Sequence, residues 1–104
     1  MKSSSFKDFV LDQLRLPGGL ECRSMFGGYG HYSGGRFFGI VFNERLYFKT
    51  DAITRAVYEQ RGMKPFRPSA RQKLKSYYEV PADVIEDSPT LTDWAKEAIK
   101  LAND

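Results

Sequence analysis

Apolar positions recur at two spacings along this chain. Phe6, Phe9, Val10 and Leu14 follow the helical period, and Ser5 with Asp8 three positions later has the form of a capping box, so the spacing predicts a first helix opening at Ser5. Pro17-Gly18-Gly19 ends it, because proline removes a backbone donor and glycine accepts positive φ. Residues 20–32 then read as one strand that becomes glycine-rich. Ser33-Gly34-Gly35 is a tight-turn signal, residues 36–42 form the next strand, and Asn43-Glu44 is a second hairpin turn. In residues 45–49, Leu46 and Phe48 fall on one face and Tyr47 and Lys49 on the other.

Thr50 or Asp51 caps a second helix, whose buried side is expected to carry Ile53, Ala56 and Val57, with Gly62 at its C′ position. Pro65 and Pro68 make residues 63–69 a loop. Alternation resumes over residues 73–80 as a fourth strand, which Pro81 stops, and residues 82–86 form a helical turn. Ser88-Pro89 opens the last helix, with Ser88 as its cap. Leu91, Trp94, Ala95, Ala98, Ile99 and Ala102 give that helix a continuous apolar stripe to dock on the sheet. The sum is an α+β domain over residues 1–104. It is an antiparallel meander of about four strands, with helices at both termini and one between the third and fourth strands.

Composition adds little to this picture except through charge. The chain of 104 residues is 41% hydrophobic and 28% charged, ordinary for one globular domain. It has no apolar run near the roughly 20 residues of a membrane span, no signal-peptide h-region and one cysteine, so a cytoplasmic protein is expected. The net charge of +3 is too small to define a partner, but its distribution is uneven. Arg55, Arg61, Lys64, Arg67, Arg71, Lys73 and Lys75 are opposed only by Glu59, whereas acidic residues prevail from Glu79 onward. That pattern fits two solvated faces that partly neutralise each other. It also fits a basic contact surface for nucleic acid or an acidic partner.

No motif here specifies a reaction. Gly27, Gly28 and Gly30 resemble part of a phosphate loop, but a strand rather than a helix follows them, and no Gly-Lys-Ser/Thr triplet exists. A structural role is expected instead: a bent strand, or close approach of another backbone. His31 is the sole histidine, so metal sites built on paired histidines are excluded. Cys22 and His31 could form a thiolate pair, but nine intervening steps of chain give no ground for proximity, and a spectator cysteine is expected. No catalytic, cofactor or metal site is assigned, and the chain is read as a non-enzyme. Aromatics such as Tyr32, Phe37, Phe42, Tyr47 and Tyr77 could stack bases, yet in a small sheet they mostly form core.

The ordered set of segments resembles the N-terminal domain of the TfoX/Sxy family of competence regulators. The resemblance rests on Met25-Phe26-Gly27-Gly28-Tyr29-Gly30 and Arg45-Leu46-Tyr47-Phe48-Lys49-Thr50-Asp51. Pro65-Phe66, Tyr77-Tyr78-Glu79-Val80-Pro81 and the helix bearing Trp94-Ala95 follow in order. It spans roughly residues 5–103. It implies a regulatory or protein-interaction module in transcription and competence, with a protein partner of the transcription-factor kind; a homodimer is a further expectation. Longer relatives carry a second, C-terminal domain, whereas this sequence ends at Asp104 and is read as a single-domain member. The family pattern brings no catalytic residues to transfer.

Overall fold

The structure, a computed structural model, describes residues 2–16, 18–25, 27–67 and 74–102, with side chains in α1 from residue 5 and in β6 from residue 76. The elements in chain order are α1 (Lys2–Gln13), β1 (Glu21–Met25), β2 (Gly28–Ser33), β3 (Arg36–Phe42), β4 (Arg45–Lys49), α2 (Ala52–Gln60), β5 (Pro65–Phe66), β6 (Leu74–Glu79), α3 (Ala82–Ile85) and α4 (Ser88–Leu101). They form one antiparallel sheet in the order β1-β2-β3-β4-β6-β5, with helices before, within and after it. The α+β class and the meander are as expected. The sheet has six strands rather than about four.

Both extra strands have local causes. Residues 20–32 are not one strand, because Gly27 sits at φ 79° and turns the chain back on itself. Glu21 thereby pairs with Tyr32, and Met25 with Gly28. The segment 63–69, expected to be all loop, contains β5, which adds Pro65 and Phe66 to the free edge of β6. The other turns are as the residues predict. Gly34 and Gly35 have positive φ, and so do Asn43 and Glu44, the residues of the second two-residue hairpin.

The first helix starts ahead of the expected Ser5 cap, at Lys2. Asp51 caps α2, accepting from the amides of Ile53 and Thr54, while the Thr54 hydroxyl bonds the Asp51 amide at 3.0 Å. The cap of α4 is Asp87 rather than Ser88, one residue earlier than expected.

Alternation along the strands gives the sheet two apolar faces. One bears Phe38, Val41, Leu46, Phe48 and Tyr78, and packs against Val10 and Leu14 of α1 and Leu91, Ala95 and Ala98 of α4. The stripe expected on the last helix therefore forms this core, with Trp94 and Ile99 half-buried at its margin. The other face carries a smaller cluster of Ile40, Tyr47, Phe66 and Tyr77, with Phe37 and Phe42 against it. Among the described residues, no helix is long and apolar enough to cross a membrane.

Candidate functional site

Three places on this frame bear on function: the outward face of α2, a basic cleft beside β5, and the glycine-rich hairpin β1–β2.

The face of α2 reverses a sequence expectation. Ile53, Ala56 and Val57 do not point inward; Ile53 is 79% exposed and Val57 46%. Tyr58 is the residue that α2 buries, with its ring 4.8 Å from that of Trp94 on α4 and 6.1 Å from that of Tyr78. Burial pushes the Tyr58 hydroxyl far above its ordinary range, so it stays protonated. With 100° per residue, Ala52, Ile53, Ala56, Val57 and Gln60 share one outward arc, all are exposed, and none is charged. Beside this arc, between α2 and α4, lies an apolar groove of about 110 Å3 walled by Thr54, Val57, Tyr58, Trp94 and Ala98, with Lys49 and Glu97 at its rim.

The basic segment is split by the fold. Arg61 forms an ion pair with Asp83, and its guanidinium lies 5.9 Å from the Trp94 ring, so it ties α2 to α3 and α4. The Arg61 guanidinium, by its hydrogen bond, holds the Asp83 carboxyl below its usual range. This contact links one residue of the basic segment to one of the acidic C-terminal part. Arg55 stays half-buried on α2. Lys64 and Arg67 flank β5 and share a cleft of about 530 Å3 with Arg45, Tyr47, Pro65 and Glu79. Arg71, Lys73 and the side chain of Lys75 lie outside the described residues.

The cleft has an unbalanced charge. Glu79 pairs with Arg45 at 3.5 Å across neighbouring strands, while Lys64 and Arg67 have no carboxylate partner among the described residues. Arg45 was missed in the sequence because it precedes the basic run by ten positions; only the β4–β6 pairing brings it to the cleft. Tyr47 stays a neutral phenol there, because burial, then the Glu79 carboxylate, raises its pKa.

Two glycines of β2 stand where neighbouring atoms leave no room for a side chain. A Cβ on Gly28 would lie 2.1 Å from the Val41 carbonyl oxygen, so this position must lack a side chain for β3 to approach. On Gly30 a Cβ would meet Met25 and Phe37 side chains at 2.7 to 3.0 Å. The same hairpin sets Cys22 directly opposite His31, with Sγ 3.5 Å from Nδ1, a proximity the sequence reading did not expect. His31 is completely buried and its pKa falls to about 4, through burial and the nearby Lys7 ammonium, against a raising backbone bond to Gly30. Burial raises the Cys22 thiol. Both groups are therefore neutral at pH 7, the opposite of a thiolate–imidazolium pair. Among the described residues no three His, Cys, Asp or Glu side chains are grouped as a metal site would require.

These features define a small α+β module with grooves on its surface. Its sequence matches the family model of the TfoX N-terminal domain over residues 12–102, most of the chain, and the protein belongs to that family. No curated protein matches it.

Proposed function

We propose that this TfoX-type domain is a non-enzymatic regulatory module that works by protein contact through the outward face of α2. The observation that carries this reading is the uncharged arc of Ile53, Ala56 and Val57 beside the apolar groove at Tyr58 and Trp94. A surface helix ordinarily turns its apolar residues inward and its charges outward. Here Ile53 and Val57 are left in water, at a cost that contact with another chain removes. The groove has room for about one aliphatic side chain, and the adjacent arc presents such side chains, so the surface is self-complementary. A second copy related by a two-fold axis is the occupant this geometry favours. The inert Cys22–His31 pair supports the non-enzymatic part of the reading. A role in transcription and competence, with a transcription factor as partner and a cytoplasmic location, extends the same reading from the family.

Light scattering over a range of concentrations tests it. The wild-type mass should rise with concentration towards twice that of the 11.9 kDa chain, while Val57→Glu stays at the monomer mass. A wild-type protein that remains monomeric at the highest concentration sinks the homodimer.

A second reading, nucleic-acid binding by the basic segment, is favoured by Lys64 and Arg67, which have no carboxylate partner among the described residues and share one cleft with Arg45. It predicts affinity for DNA or RNA that falls steeply with salt. Mobility shifts at low and physiological salt test it.

A further inference from the structure

We propose that the cleft walled by Arg45, Lys64, Arg67 and Tyr47 is a phosphate-ester site, suited to the backbone of a single nucleic-acid strand. The inference rests on the nucleic-acid reading and narrows it to one site and one ligand chemistry. It is independent of the α2 surface.

Three cations from two parts of the chain meet here, and among the described residues of the lining only Glu79 opposes them. Arg45 comes from β4, while Lys64 and Arg67 come from either side of the two-residue strand β5. Neither Lys64 nor Arg67 has a carboxylate partner among the described residues, so an anion entering the cleft meets positive charge that no ion pair already neutralises. The fork of a guanidinium, the point charge of an ammonium and a neutral phenol hydroxyl together suit the several acceptor oxygens of a phosphate. The Glu79 carboxylate holds Arg45 at 3.5 Å and so competes with the ligand for it. This makes Glu79 a restraint on affinity, which no purely structural account of the cleft requires.

A strand is favoured over a free phosphate by what borders the cleft. Phe42 is the register partner of Arg45 at the β3–β4 turn, and its ring is only half-buried, 5.4 Å from Phe66. Phe42 thus offers a partly exposed aromatic ring on the strand beside Arg45, a surface on which a base attached to a bound phosphate can stack.

The test is anisotropy of a fluorescein-labelled oligothymidylate at low and physiological salt. It is joined by NMR titrations with inorganic phosphate and thymidine monophosphate, and by competition with polyglutamate. Lys64→Glu and Arg67→Glu should each weaken strand binding roughly tenfold. Each should also reduce the slope of log affinity against log salt by about 0.7 for each cation removed. Glu79→Gln should tighten binding, an outcome no misfolded variant can mimic. If wild type binds the strand but all three substitutions leave its affinity unchanged, the cleft is wrong while the nucleic-acid reading survives on another surface. If phosphate or the mononucleotide binds through these residues and the strand does not, the phosphate site stands and the nucleic-acid reading falls. If polyglutamate competes as well as the strand, the cleft reads charge alone and the phosphate assignment is overturned. No binding of any probe at low salt removes both.

Discussion

Cys22 and His31 face each other across the β1–β2 hairpin, sulfur to Nδ1 at 3.5 Å, with the imidazole completely buried and its Nε2 without a hydrogen-bond partner among the described residues. Two side chains that elsewhere form reactive pairs are here locked into neutrality. Burial has the larger hand in both shifts, lowering the histidine and raising the cysteine.

Acid should therefore destabilise the domain before its carboxylates protonate. The folded His31 titrates at about 4, against 6.5 for the free side chain. Between those values the unfolded chain binds a proton that the folded chain excludes, so stability falls as pH drops through that window. The full effect is up to about 3 kcal/mol. Urea unfolding at pH 7, 5.5 and 4.5 should show it, and His31→Phe should flatten the profile. A wild-type profile already flat from pH 7 to 4.5 would contradict the burial of this imidazole. His31 is the only histidine, so no other imidazole can produce the slope.

The glycines of β2 should respond unequally to alanine. At Gly28 the new methyl meets the backbone oxygen of Val41, which cannot move without parting β2 from β3. Gly28→Ala should cost about 3 kcal/mol or more. At Gly30 the closest atoms are the sulfur and methyl of Met25, a half-buried and adaptable side chain, so Gly30→Ala should cost about 1–2 kcal/mol. Equal losses in denaturation midpoints would mean that the closeness of the Val41 backbone does not decide the matter.

The pattern of the sequence conveyed the meander, its two paired-residue turns and the stripe of α4, because each rests on local chemistry. The misses share a physical cause. The hairpin at Gly27 was hidden because the glycine-rich run Gly27-Gly28-Tyr29-Gly30 fits a bent strand as well as a turn. Once that turn is fixed, Cys22 and His31 must pair, but the nine-residue interval alone could not say so. The short strand β5 exists through tertiary burial of Phe66, which no two-residue pattern reveals. The face of α2 was inverted because apolar residues at helical spacing normally point inward. Arg45 was separated from the basic run by the chain and joined to it only by strand pairing.

The inversion of α2 has a direct consequence for stability. Ile53→Glu should change the unfolding free energy by less than about 0.5 kcal/mol, since the side chain stands in water. Tyr58→Ala, further along the same helix on its inner side, removes the ring packed on Trp94 and should cost about 3 kcal/mol or more. Chemical denaturation of dilute samples compares the two without interference from association. A loss at Ile53 as large as that at Tyr58 would restore the inward-facing assignment.

Phe66 should matter more than the length of its strand suggests. Its ring is completely buried, 4.7 Å from Tyr47 and in edge contact with Phe42, so it closes the second apolar cluster over β3 and β4. One hydrogen bond, from the Glu79 amide to the Lys64 carbonyl, secures the chain just before it. Together these contacts fix where Lys64 and Arg67 emerge. Phe66→Ala deletes the ring from a packed site and should cost about 3–5 kcal/mol, whereas Phe66→Leu keeps an apolar plug and should cost less. Hydrogen exchange adds spatial detail: the Glu79 amide should lose protection in Phe66→Ala even where the α4 amides keep theirs, because the ring anchors the β5 edge rather than the helix-covered core. Unchanged protection at Glu79 would show that β5 holds its place without Phe66, and that the positions of Lys64 and Arg67 are set by something else.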